Sequence, residues 1–238
     1  MVFKVGVDVG GTFTDSYGVD EAGRVYGTKV LTTPDDLKVG VLRSIEKAGI
    51  DLSKVDILVH GTTVTINTYI QRQYYGWWPK TAFITTIGFR DVVEIGRYFH
   101  ESLYDPYQTK PAQTRPLVER RYRFTVRERM GADGKPILPL DESDATDLAK
   151  KIRDEKFDAV AICFINSYLN PEHEIKMREI LRRYLPPEVP IVISSELRPK
   201  FREHSRMLTT ILRAILMTIM RQYLTELENA LKERGFRG

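Results

Sequence analysis

The clearest chemistry in the chain lies in Asp8-Val9-Gly10-Gly11-Thr12-Phe13-Thr14-Asp15. Two adjacent glycines between the apolar, β-branched runs Phe3 to Val9 and Phe13 to Val19 predict a tight strand-to-strand turn. A phosphate can approach the backbone N–H groups of such a turn with no side chain in the way. Thr12 and Thr14 can add hydroxyl donors. Asp8, at the end of the first run, offers a hard carboxylate oxygen for Mg²⁺, directly or through water. The stretch is not a P-loop, which needs Gly-x-x-x-x-Gly-Lys-Ser/Thr, and no Gly-x-Gly-x-x-Gly opens a helix as in a dinucleotide fingerprint. The bland alternative is a Gly-Gly hairpin, and its place at the head of an ordered α/β chain favours the phosphate reading.

Three further stretches carry candidate groups. His60-Gly61-Thr62-Thr63 follows a short apolar run and precedes a helical pattern, so free N–H groups at a helix start could face an anion. Thr capping beside a turn glycine explains the same residues without a ligand. Ile84-Thr85-Thr86-Ile87-Gly88-Phe89-Arg90-Asp91, continuing to Glu94-Ile95-Gly96-Arg97, also sits at a strand end, where open α/β sheets hold ligands. Arg90 with Asp91 and Glu94 with Arg97, each pair taken singly, read more readily as surface ion pairs. Arg120-Arg121-Tyr122-Arg123-Phe124 interleaves arginine and aromatic residues as a nucleic-acid-binding strand can, although a half-buried edge strand accounts for it.

The elements that must position these groups follow from periodicity. Strands are predicted at Phe3–Val9, Phe13–Val19 and Val25–Thr32, with a turn at Asp20-Glu21-Ala22-Gly23-Arg24. A helix opens at Thr33-Pro34-Asp35-Asp36 and ends at Gly49. A strand over Asp56–His60, a helix from Thr62 or Thr63 to about Arg72, a strand over Thr81–Thr85 and a helix over Phe89–Ile95 complete a β-β-β-α-β-α-β start. Tyr98 to Pro116 reads as an irregular loop. Leu117 to Val126 reads as a strand, and Met130 to Lys135 as a turn. From Asp141 onward the pattern is αβαβα, closing on a long helix over roughly Lys200 to Arg234 with Leu208, Ile211, Leu212, Ile215, Ile219, Tyr223, Leu227 and Leu231 on one face. Three regions result: 1–97, carrying the phosphate turn; 98–140, a loop and β-hairpin; and 141–238. The broad apolar face of the last helix is suited to burial between subdomains or to a partner.

Composition narrows the class. With 238 residues, 42% hydrophobic and 29% charged, the chain can bury a real core, which excludes a disordered or fibrous protein. The net charge of +4 resides in the last stretch, where nine Lys/Arg stand against five Asp/Glu from Glu196 on, so the remainder is neutral and argues against a nucleic-acid footprint. Met207 to Met220 contains Arg213 and is too short to span a bilayer, and Asp8 falls where a signal peptide needs apolar residues. The expectation is a cytoplasmic protein without a membrane segment. A single cysteine, Cys163, excludes an internal disulfide and reads as a buried strand residue. His60, His100, His173 and His204 lack the spacing of a zinc site.

Taken together, the motifs resemble the N-terminal region of the hydantoinase A / 5-oxoprolinase family, within the actin-like ATPase superfamily. The matching residues are Gly6 to Asp15, Thr32-Thr33-Pro34, His60-Gly61-Thr62-Thr63-Val64 with Asn67, Ile84-Thr85-Thr86, Gly88 to Val92 and Glu94 to Arg97. Leu103-Tyr104-Asp105, Lys110-Pro111 and Ser167 to Glu174 also match. The resemblance implies a ribonuclease H-like lobe and an ATP- and Mg²⁺-dependent enzyme that phosphorylates an amide oxygen of a small cyclic amide before ring opening. In the related acetone and acetophenone carboxylases, a ketone is activated for bond formation with bicarbonate. In such a scheme Asp8 and Asp15 are the catalytic carboxylates, with Asp8 on the metal. Gly10, Gly11, Thr12 and Thr14, with His60, Gly61, Thr62 and Thr63, line the nucleotide cleft. Where the family carries Glu-Arg and Asn-Ala pairs, the last helix has Ser205-Arg206 and Arg213-Ala214, which puts a positive charge on an apolar face. Because family members continue into a second lobe, the resemblance implies a hetero- or homo-oligomer or a fragment, with little ATPase activity from this chain alone. A non-catalytic interaction module is the remaining alternative.

Overall fold

The computed structural model describes residues 3–71, 78–95, 104–107 and 116–238, and these pack as two units. The first comprises Met1–Trp78 with Ile219–Gly238, the second Pro79–Thr218. No helix among the described residues is long and apolar enough to cross a membrane.

In the first unit, β1 (Phe3–Val9), β2 (Phe13–Asp20), β3 (Val25–Leu31) and β4 (Val55–Thr62) form a sheet in the order β3-β2-β1-β4. The first three strands are antiparallel, and β4 runs parallel to β1. Alternation along β1 buries Phe3, Val5, Val7 and Val9 against α1 (Leu37–Lys47), whose Val41, Leu42 and Ile45 join the same core. Leu227 and Leu231, from the C-terminal helix Glu203–Glu233, complete it. The second turn is stapled by Asp20, whose carboxylate accepts the N–H groups of Ala22 and Arg24, each at 2.9 Å, the Arg24 Nε at 2.8 Å and the Tyr26 hydroxyl at 3.2 Å. α2 (Val64–Gln71) follows β4.

The second unit is built on a parallel sheet, β10-β9-β5-β6: β5 (Thr81–Thr86), β6 (Arg123–Val126), β9 (Ala159–Cys163) and β10 (Ile191–Ile193). β7 (Arg129–Met130) and β8 (Pro136–Leu138) form a separate small hairpin. β5 and β9 are buried at every position, as a sheet covered on both faces requires. α3 (Glu142–Asp154), capped by Asp141, and α4 (Glu172–Arg182) supply Ala149, Ile152, Met177 and Leu181 to its core. A short α5 (Ser194–Leu197) precedes α6 (Glu203–Glu233). Cys163 is wholly buried, and desolvation pushes its thiol up to about 11.

Several expectations differ from what is seen. The boundary between the units falls after Trp78, well before residue 97, because β5 pairs with β9 and joins the second sheet. Phe89–Ile95 is not a helix: Gly88 has φ +87° and only Val92–Glu94 form a single 3₁₀ turn. Leu117–Val126 is strand only from Arg123, after a 3₁₀ turn at Arg120–Tyr122. β6 is an edge strand, yet Phe124 on it and Tyr122 just before it turn their rings onto Phe157, 5.8 and 5.2 Å between centroids, and Arg123 is buried, so these aromatics are packed rather than presented. Arg213 is exposed, off the apolar face of α6. Glu94 pairs with Arg123 at 2.8 Å, and Gly96 and Arg97, like Leu103, Lys110, Pro111 and most of Tyr98–Pro116, lie outside the described residues.

Two measurable consequences follow from burial. Glu174, fully buried, accepts hydrogen bonds from the N–H groups of Phe164 and Ser195 and from the Ser167 and Ser194 hydroxyls, at 2.6–2.9 Å. Glu174→Ala orphans these donors, and urea unfolding is expected to show a loss of about 3–5 kcal/mol. His60, on β4, shares a 2.9 Å hydrogen bond between its Nε2 and the Tyr223 hydroxyl, and burial holds its pKa below the usual imidazole value. A histidine depressed in the folded state takes up its proton first in the unfolded chain, so its stabilisation is present above about pH 6.5 and is lost as pH falls through that range. The drop in urea midpoint between pH 7.5 and 5.5 is therefore expected to be smaller in His60→Gln than in the parent.

Candidate functional site

Register fixes the first site. The Gly10 N–H donates to the Phe13 carbonyl at 2.9 Å, closing the turn so that Asp8 lies directly opposite Asp15. Counting back from the second turn places Lys29 opposite Asp15, and the parallel pairing of β4 with β1 sets Gly61 beside Asp8. The result is one row across four strands, Gly61–Asp8–Asp15–Lys29, on the sheet face opposite the helix-packed core. The next row is Val59–Gly6–Tyr17–Gly27. Residues of both rows line a concavity of about 710 Å³.

The row carries two carboxylates and one ammonium. Lys29 Nζ stands 3.1 Å from Asp15 Oδ1 and 5.0 Å from the centre of the Phe13 ring. Facing like charges on adjacent strands repel, and Asp8 is solvent-exposed on this face. Glycine at position 61 leaves room for Asp8: a Cβ would lie 3.1 Å from Asp8 Oδ1, so a larger residue would push that carboxylate aside. Hard oxygen donors of this kind fit Mg²⁺. Two protein carboxylates leave most of its coordination to water and phosphate, as that ion prefers.

Beside this row sits the glycine turn. Gly11 and Thr12 are exposed, and a Cβ on Gly11 would meet Asn67 Nδ2 at 3.3 Å, so the turn nests against the first turn of α2. Asn67 Nδ2 donates to Thr63 Oγ1 at 3.0 Å, the Thr63 N–H to the Val9 carbonyl at 3.1 Å, and the Val64 N–H to Thr62 Oγ1 at 3.1 Å. Thr32 backs the turn, its hydroxyl donating to the Gly10 carbonyl at 2.9 Å. Thus Asp8, Asp15, Gly61, Gly10, Gly11 and Thr12 come together with Thr62 and Thr63 behind them. Two residues are held elsewhere. Thr14 is buried, 3.1 Å from Thr32 Oγ1, and His60 shares the Val7 side of the sheet with Tyr223, opposite Asp8. Burial raises the Tyr223 hydroxyl to about 12, so it stays protonated there.

Lys29 was not among the expected groups, although alternation and the position of the second turn already place it opposite Asp15. A second polar cluster was also missed, at the C-terminal ends of β5 and β9, where the strand order reverses. Thr86 Oγ1 donates to Glu128, which is fully buried and also holds His173 Nδ1 at 2.8 Å. Burial raises the Glu128 pKa against the opposing pull of Thr86 and His173. Arg206, 1% exposed, braces the same end through Ser194 Oγ at 3.1 Å and the Phe164 carbonyl. These groups satisfy one another, which makes the cluster a structural support. Among the described residues, no group of three or more His, Cys, Asp and Glu side chains is placed to hold a metal ion.

Comparison with known proteins agrees with this architecture. A protein of Methanocaldococcus jannaschii, itself uncharacterised, is 40% identical over 100% of this chain and 34% of its own. The acetophenone carboxylase gamma subunit of Aromatoleum aromaticum is 33% identical over 99% of this chain and 34% of its own. The crystal structure of the ATP-dependent caprolactamase of Pseudomonas jessenii superposes with a TM-score of 0.83 at 30% identity, covering 99% of this chain and 34% of that one. The chain thus spans about a third of the length of these relatives. The profile of the hydantoinase/oxoprolinase N-terminal region matches residues 4–185, and the chain belongs to that family.

Proposed function

We propose that this chain supplies the phosphate-binding half of an ATP-dependent enzyme that phosphorylates the oxygen of a small cyclic amide before its ring is opened. The observation that carries the reading is the row Gly61–Asp8–Asp15–Lys29 beside the glycine turn, on the sheet face opposite the helix-packed core. Family membership and the ATP-dependent caprolactamase support the chemical class.

An amide oxygen is a poor leaving group. Its lone pair attacks the terminal phosphorus, the bond to the bridging oxygen breaks, and ADP departs. Water then adds to the activated carbon, and its proton goes to the ring nitrogen as the C–N bond breaks. A second water hydrolyses the acyl phosphate left behind, phosphate departing with the former amide oxygen. The protein's part is to position the reactants and neutralise charge. In this scheme the N–H groups of Gly11 and Thr12 and the Thr12 hydroxyl bind terminal phosphate oxygens. Asp8 and Asp15 hold Mg²⁺, which supplies charge neutralisation when bound. Lys29 orients Asp15 and adds positive charge at the edge of the row. Asn67 and Thr63 fix the turn from behind. The remaining nucleotide contacts come from further polypeptide, in a second lobe or a partner subunit.

The likeness to the acetophenone carboxylase subunit favours a second reading, in which the same activation acts on a ketone before bond formation with bicarbonate. ATP turnover by the complete enzyme with hydantoin or 5-oxoproline, against acetone or acetophenone plus bicarbonate, separates the two.

Calorimetry of MgATP binding tests the shared step. Asp8→Asn is expected to weaken Mg²⁺-dependent affinity at least tenfold, about 1.4 kcal/mol. Its urea stability should hold or rise, since a like-charge repulsion is removed. Unchanged affinity would leave the interaction-module reading standing. Lys29→Gln should weaken binding less than Asp8→Asn and make it less sensitive to salt.

A further inference from the structure

We propose a second binding site, in the second unit, for a small organic carboxylate. It lies on the turn Gly88–Asp91, at the C-terminal ends of β5 and β6, independent of the phosphate site. Gly88, Arg90, Asp91, Val92, Ile95 and Thr125 line a concavity of about 440 Å³ there, within the size range of small-molecule sites. Open parallel sheets place ligands at this strand end.

Charge and hydrogen bonding indicate what it takes. Asp91 is already committed: its oxygens receive Arg120 Nε at 3.1 Å and Nη2 at 2.9 Å, and that guanidinium holds its carboxyl below the usual range. Glu94 is taken by Arg123 at 2.8 Å. Arg90 reaches Asp91 only at 3.4 Å, and its Nε–H is buried without a hydrogen-bond partner among the described residues. Arg129 stacks on Phe89, the residue before Arg90, 4.7 Å from guanidinium carbon to ring centre. Its Nη1 is likewise buried and unpartnered among the described residues. Of the four guanidinium groups around this turn, Arg120 and Arg123 are engaged with Asp91 and Glu94, and Arg90 is the one among the described residues that lines the concavity. A buried donor such as its Nε–H costs stability unless something accepts from it.

A guanidinium fork matches a carboxylate in geometry and charge. Val92 and Ile95 give the other side of the concavity an apolar lining, which suits a short hydrocarbon body and not a free phosphate. The ligand class is therefore a monocarboxylate of a few carbons, its oxygens on Arg90 and its chain against Val92 and Ile95.

The test titrates the full chain with butyrate, acetate and inorganic phosphate at constant ionic strength. Calorimetry is read together with the arginine Nε–H resonances in ¹H–¹⁵N spectra. Butyrate is expected to bind saturably, more tightly than acetate or phosphate, and to shift the Arg90 Nε–H signal. Arg90→Gln should weaken butyrate at least tenfold, whereas Arg121→Gln, an exposed arginine paired with Glu119, should leave it unchanged. Ile95→Ser should abolish the preference for butyrate over acetate while the fold is kept. No saturable butyrate binding, tighter binding of phosphate, or butyrate affinity that survives Arg90→Gln would each overturn the proposal.

Discussion

A slip of β1 by one residue against β2 would turn Asp8 into the core and bring Val7 and Val9 to the surface, leaving Asp15 on the other face without its partner. The first unit therefore depends on the register set by the Gly10–Phe13 turn, and that turn is braced from three directions. The Gly10 N–H closes it onto Phe13, the Thr32 hydroxyl takes the Gly10 carbonyl, and the Thr32 N–H donates to the Thr12 carbonyl at 2.9 Å. Four buried residues on β1 face α1 and the C-terminal helix, so any shift of register exposes their side chains. Hydrophobic burial on one face thus positions the charged groups on the other.

The two sheets apply opposite rules to their faces. The first leaves one face to solvent, with Tyr17, Val25, Ile57 and Val59 exposed alongside the charged row. The second is covered on both faces, and the buried Thr85, Thr86 and Ser194 near its strand ends are each hydrogen-bonded. Glu174 and Arg206 illustrate the condition for burying charge: their oxygens and N–H groups are occupied by backbone and serine partners. Chemistry with water-borne ions suits the first arrangement. The second confines ligands to the turns beyond its strands, such as Gly88–Asp91.

Local pattern made β1, β2, β3, α1, α3 and α4 legible, because each has its own period and punctuation: Gly10-Gly11, the Asp20 turn, the Asp141 cap. Asp8 and Asp15 stood out in the stretch around Gly10-Gly11, but that they face each other is set by the pairing of β1 with β2. What remained hidden was set by distant residues. The side of β4 on which His60 falls depends on its parallel register with β1, which shifts at Phe3/Lys4 and leaves no mark in the nearby sequence. The continuous apolar run of β5 reads alike in either sheet, so its pairing with β9 was open. Phe89–Ile95 has apolar spacing fit for a helix, but Gly88 at positive φ and the tie from Asp91 to Arg120 hold it as a turn. The Glu128–His173 pair joins residues 45 apart in the chain.

Cys163 sits in the middle of this second core, between β5 and β10 on a strand with no exposed position. Only the thiolate reacts at a useful rate, and burial suppresses it. A chromogenic disulfide reagent would therefore find its target only when the parallel sheet parts, and the colour would grow at the rate of that opening. With no other cysteine in the sequence, the signal has a single source. The chain thus carries a built-in clock for the breathing of one of its two halves, one that requires no engineered label.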